Sequence, residues 1–148
     1  MRRPLVTGSI FAILLVVTLA SPTLAAPSVG TGVPFVVTMT GAAEAPGPGD
    51  PDGTGTATLR LNPGQETVCW HLEVSGIAPA TASHIHKALA GSPGPIVVPL
   101  SAPTSGESSG CTEADRDLIL DIIQNPENYY VNVHNADYPA GALRAQLG

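Results

Sequence analysis

The chain has 148 residues, enough for one domain with a proper core and too few to expect two. Gly and Pro are abundant at 16 and 15, Thr and Val are frequent, and charged residues make up only 12%, which argues for a mostly-sheet body rather than long surface helices. The formal net charge of −6 makes an acidic surface that repels phosphate backbones and argues against nucleic acid as a partner.

Met1-Arg2-Arg3 is a basic start, Ile10 to Ala20 is an apolar run, and Thr23-Leu24-Ala25 offers small residues for cleavage before Ala26. This pattern predicts a secretory signal over residues 1–25, whose removal takes Arg2 and Arg3 away and leaves the mature chain more acidic. The competing reading is an uncleaved membrane anchor, but the run is short of the roughly 20 residues a bilayer needs, and Pro22 and Pro27 follow it. No later stretch is apolar for long enough to span a membrane. Residues 26–32 then form a lead-in of small residues, and residues 33–148 form the domain. Outside the cell, Cys69 and Cys111 are expected to pair; free thiols or a metal-bound Cys are the alternatives.

From Val33 to Thr40, Phe35, Val37 and Met39 alternate with Val36, Thr38 and Thr40, which predicts a first strand with the former set inward. Gly41 to Gly53, crowded with Gly, Pro and acidic residues, predicts a surface loop. Its Asp50-Pro51-Asp52-Gly53 resembles the start of a calcium loop, but the ligand series stops after two carboxylates, so an ordinary turn is expected. Thr54 to Leu61 alternates with Ala57, Leu59 and Leu61 on one face. Asn62-Pro63-Gly64-Gln65 suits a type II turn, leading into a strand over Val68 to Ser75 with Trp70, Leu72 and Val74 inward. That leaves Cys69, His71 and Glu73 outward, with His71 expected as a solvated surface residue.

Gly76 to Thr81 is a connection to the strand carrying Ala82-Ser83-His84-Ile85-His86-Lys87. Ala88 to Pro95 predicts a loop, Ile96 to Leu100 a short strand, and Ala102 to Gly110 a Ser/Gly-rich loop ending at Cys111. The one helix signal covers Thr112 to Gln124, with Thr112 as N-cap and Asp115 at the third helical position. Leu118, Ile119, Ile122 and Ile123 share one face of it, and Asn125-Pro126 ends it. Tyr129 to His134 and Ala142 to Leu147 close the chain as two strands joined by Asn135 to Gly141.

In an extended strand His84 and His86 project to one face while Ile85 projects to the other. If Tyr129, Val131 and Val133 enter the core, Tyr130, Asn132 and His134 face the opposite way. Three of the four histidines can then meet outside one sheet. Three neutral imidazoles suit copper or zinc with an open position left over, and Asp137 is the candidate for a fourth or second-shell contact. The alternative is that these histidines hydrogen-bond neighbouring loops. No phosphate-binding Gly-rich loop with Lys occurs in the chain.

Gly41-Ala42-Ala43-Glu44-Ala45-Pro46, Gly55-Thr56-Ala57-Thr58-Leu59, Leu72-Glu73-Val74-Ser75-Gly76, Ser83-His84-Ile85-His86 and Tyr130-Val131-Asn132-Val133-His134, followed by Pro139 to Leu147, resemble a CHRD (chordin-type) domain, in a stand-alone bacterial form. The resemblance covers nearly the whole mature chain. It implies a secreted all-β module with an extracellular protein or cell-surface component as partner. The order His-x-His, Val-His, Ala-Gly and a nearby Arg is also similar to the copper-ligand strands of copper/zinc superoxide dismutase. The CHRD resemblance and the strand pattern together imply an antiparallel, Greek-key-like β-sandwich or barrel of superoxide-dismutase-like kind, with the one short helix signalled over Thr112 to Gln124. The dismutase similarity would make His84, His86 and His134 copper ligands and Arg144 an anion guide. The chain departs from the dismutase pattern in having no His between Ala88 and Gly110 to bridge two metals. A binding or structural module with one metal site is therefore the expected function, with a copper-dependent oxidoreductase or an extracellular copper carrier as the alternatives.

Overall fold

Strand alternation and turn chemistry settle most of the architecture. In the computed structural model, which describes residues 31–148, the strands are β1 (Val33–Thr40), β2 (Thr54–Asn62), β3 (Thr67–Ser75), β4 (Ala80–Lys87), β5 (Ile96–Leu100), β6 (Glu107–Glu113), β7 (Tyr129–Asn135) and β8 (Leu143–Gln146). One helix, α1 (Arg116–Gln124), precedes β7. The expected leader, residues 1–25, lies outside the described residues.

All pairings are antiparallel, in one eight-stranded sheet of order β5-β4-β7-β8-β1-β2-β3-β6. The meander β1-β2-β3 and the hairpins β4-β5 and β7-β8 are linked by connections between strands that are not neighbours in the sheet, and the last strand returns beside the first. The sheet curls into a nearly closed barrel. Its two edges, β5 and β6, meet where the Ser108 hydroxyl donates to the Ser101 carbonyl at 2.6 Å, an oxygen that also accepts from the Ser83 hydroxyl at 2.9 Å.

Period-two patterning puts one face of every central strand inside. Met39, Ala57, Leu59, Leu61, Val68, Leu72, Ile85, Tyr129, Val131, Val133 and Leu143 are fully buried and form one core with Trp70, Val98 and Ala145. Each such Leu or Ile contributes about 1.5–3 kcal/mol by leaving water. Ile119 and Ile122 of α1 join the same core, with Leu118 and Ile123 packed beside them, which is the helix face the sequence marks out.

Three expectations are corrected. Residues 107–113 form the edge strand β6, not the end of a loop, because register with β3 sets Cys69 directly opposite Cys111 and the disulfide holds the two strands together. Since Thr112 belongs to β6, the helix starts later: Asp115 is its N-cap, its carboxylate accepting from the Asp117 and Leu118 amides. In the β2-β3 turn the positive φ falls on Glu66 and not on Gly64, so four residues close the hairpin between the paired Asn62 and Thr67 instead of a type II turn. The segment Gly41 to Gly53 is the expected surface loop, with anchors of its own. It begins with a 3-10 turn at Gly41–Ala43, buries Glu44, and docks through the Asp50 amide on the Ala142 carbonyl at 2.9 Å.

Candidate metal centre

The β4-β7 register determines where the histidines go. His84 pairs with Asn132, His86 with Tyr130, and Ala82 with His134, so both β4 histidines stand on the outer face beside the outward side chains of β7. One nitrogen from each of His84, His86 and His134 lies within 4.8 Å of the other two. His84 Nδ1 is 3.2 Å from His134 Nε2. The outward cluster expected from alternation is thus formed.

That outer face is only partly open to water: His84 and His134 are half-buried and His86 is buried. Loop 88–95 folds across it and is pinned at several points. His86 Nδ1 donates to the Gly94 carbonyl at 2.9 Å, and the Gly94 amide donates to the Tyr130 hydroxyl at 3.2 Å. Arg144 donates to the carbonyls of Ser92 at 2.9 Å and Leu89 at 3.0 Å, and Gln146 Nε2 donates to the Ala88 carbonyl at 2.7 Å. A side chain at Gly94 would collide with the Lys87 carbonyl, its Cβ falling 2.1 Å from that oxygen, so only Gly brings the loop this close. Tyr130, Asn132 and His86 are buried beneath the loop although their strands turn them away from the core.

Backbone carbonyls fix the ring nitrogens. A carbonyl only accepts, so His86 Nδ1 carries the proton facing Gly94, and its bare Nε2 is buried with no hydrogen-bond partner in the protein. His134 Nδ1 likewise faces the Pro139 carbonyl at 3.1 Å, which leaves its Nε2 lone pair toward His84. Second-shell carbonyls that orient histidines in this way are the usual companions of metal-binding imidazoles. Burial, and then the neighbouring His134 and His86, push the His84 imidazole down to about 4. Burial also lowers His134, against the Pro139 carbonyl, which favours its charged form. Both are therefore neutral at pH 7, the form in which imidazole binds a metal.

The remaining singled-out residues lie elsewhere. His71 sits on β3 beside Glu73, at 3.8 Å, away from the other histidines and partly exposed. Asp137 is exposed in the β7-β8 connection and is not among the clustered groups; the Pro139 carbonyl, two residues on, is the atom that touches His134. Asp50 accepts from the Asp52 amide at 3.2 Å, which makes an ordinary Asx turn of that acidic segment. Arg144 is 1% exposed, with its Cζ 3.4 Å from the Tyr130 ring centroid and its donors on loop carbonyls. It is a pin for loop 88–95, and a group so enclosed does not present a charge to an anion arriving from solvent. Asn132 and Tyr130 went unnoticed in the sequence as site residues. Their signal was there in the alternation that places them on the face of His134.

A nearly closed antiparallel barrel, stapled by a disulfide and carrying a histidine cluster on its outer face, defines the class: an all-β module. Residues 35–147 match the CHRD domain, and the chain belongs to that family. No curated protein and no solved structure matches the chain. Membership supports a structural or binding module. The domain and the Cys69–Cys111 bond are compatible with an extracellular protein, and among the described residues no helix is long and apolar enough to cross a membrane.

Proposed function

We propose that this protein is a secreted CHRD module that binds one copper or zinc ion through His84, His86 and His134. The observation that carries the reading is the buried, unpartnered Nε2 of His86, a member of the three-histidine cluster whose Nδ1 is tied to Gly94. A buried polar atom without a partner costs about 1–3 kcal/mol, and a coordinated cation removes that cost. Tetrahedral ligands at about 2.0–2.1 Å stand roughly 3.3 Å apart, close to the His84–His134 separation.

Copper and zinc titration of the purified protein, repeated on a His84→Ala, His86→Ala double variant, tests this. Stoichiometric binding lost in the variant is the expected result. Absence of binding by the parent would leave the histidines as loop anchors and the module as a scaffold for an extracellular protein or cell-surface component. A superoxide assay on the copper-loaded protein then separates an oxidoreductase, which turns over, from a carrier, which binds without turnover. The buried Arg144 lends the enzyme reading no support.

A further inference from the structure

Asn132 is 2% exposed and central to the outer face: His84 lies across from it on β4, Arg144 across from it on β8, and His134 two residues along its own strand. Its Oδ1 sits 3.0 Å from His134 Nε2, the same atom that lies 3.2 Å from His84 Nδ1. This contact is frustrated in a neutral imidazole. If His134 carries its proton on Nδ1 for Pro139, the Nε2 lone pair faces the Asn132 oxygen. If it carries it on Nε2, the Nδ1 lone pair faces the Pro139 oxygen. Either tautomer leaves two acceptors pointed at one another.

A cation placed among these atoms removes the conflict, since an amide oxygen and imidazole nitrogens are all ligands. We infer that Asn132 Oδ1 is the fourth ligand of the metal centre, completing a set of three nitrogens and one oxygen, and that it selects a divalent ion over copper(I). This rests on the metal reading of the three histidines. An amide oxygen is a hard donor that suits zinc(II) or copper(II), whereas copper(I) is content with imidazoles alone. The donor set is uncharged, so the bound ion keeps its full positive charge beneath loop 88–95.

The test compares zinc(II) and copper(I) affinities, by chelator competition, of the purified parent and Asn132→Ala. Loss of about tenfold or more for zinc(II), the scale on which ligand-shell changes act, with copper(I) unchanged, is the expected result. Equal loss for both ions assigns Asn132 to orienting His134 and overturns the inference, as does no loss for either. A crystal structure of the zinc-loaded parent gives an answer that does not depend on the variant folding. Oδ1 at about 2.0–2.2 Å from the ion supports ligation, and an amide standing beyond bonding distance overturns it. A parent that binds neither ion, or a His84→Ala, His86→Ala variant that binds both as well as the parent does, instead removes the three-histidine reading.

Discussion

The ring of His86 lies flat against that of Tyr130, with centroids 4.8 Å apart and planes 5° from parallel. The Tyr130 hydroxyl meanwhile accepts from the amide of Gly94, whose carbonyl holds His86 Nδ1. Tyr130 therefore fixes His86 twice, by stacking and through the loop. Tyr130→Phe keeps the stack and strips the Gly94 amide of its acceptor, so it should lower stability by about 1–3 kcal/mol in urea unfolding while leaving metal affinity nearly unchanged. Tyr130→Leu also removes the stack and should weaken zinc binding by about tenfold. Equal metal affinity in both variants would show that the stacking does not orient His86.

Arg144 bridges the same tyrosine to the carbonyls of Leu89 and Ser92. Lys has one ammonium in place of a planar fork and cannot reproduce both bonds and the stack. Arg144→Lys is expected to cost about 1–3 kcal/mol through the unsatisfied carbonyls. Hydrogen exchange should rise over Ala88 to Pro95 more than over β2 or β3. A uniform rise across the barrel would mean that the residue supports the core and not the loop.

How much of this was legible follows from what each residue depends on. Strands β1, β2, β4, β5 and β7 could be placed because their apolar residues recur every second position and one face is buried, and the same alternation brought His84, His86 and His134 together. Strand β6 could not. Glu-Ser-Ser-Gly-Cys-Thr-Glu has no buried face of its own and reads as loop; pairing with β3 and the Cys69–Cys111 bond make it a strand. Tyr130 and Asn132 were placed on the right face, but their burial, like that of Arg144, depends on loop 88–95 folding back, a long-range event that local periodicity does not encode. The turn at Glu66 went wrong for a smaller reason: Pro-Gly favours a type II turn locally, and the four-residue spacing set by strand register prevailed.

Among the described residues, strand β6 pairs with β3 alone, which gives the disulfide a specific role. With 42 residues separating the cysteines, the bond disfavours the unfolded chain by about 4 kcal/mol on the loop-entropy account. A Cys69→Ala, Cys111→Ala double variant should lose about 2–4 kcal/mol of stability in urea unfolding. Amide protection should fall first over Glu107 to Glu113. Retention of β6 protection at parental levels would assign the strand's stability to its ladder alone.

The start of α1 offers a test between two neighbouring residues. Asp115 accepts from two amides of the first turn, whereas Thr112 pairs with Val68 in the sheet. Asp115→Ala should therefore cost about 0.5–2 kcal/mol, the range for losing an N-cap, and Thr112→Ala markedly less. The reverse order would restore the cap to Thr112, where the sequence pattern alone puts it.

Asp121 joins the helix to the barrel by accepting from Lys87 at 2.7 Å, from the Tyr129 hydroxyl, and from Asn125 at 2.7 Å. The hydrogen bond from Lys87, then those from Tyr129 and Asn125, hold its carboxyl down at about 2, below the ordinary 3.8. Between those values the unfolded chain takes up a proton that the folded one refuses. The contribution of Asp121 is thus complete above about pH 4 and fades as the pH falls toward about 2. The Lys87 pair is exposed, so added salt should shrink the effect. Urea midpoints measured at pH 5, 3 and 2 should fall more steeply for the parent than for Asp121→Asn, whose side chain does not titrate. Parallel curves would place the acid sensitivity in other carboxylates.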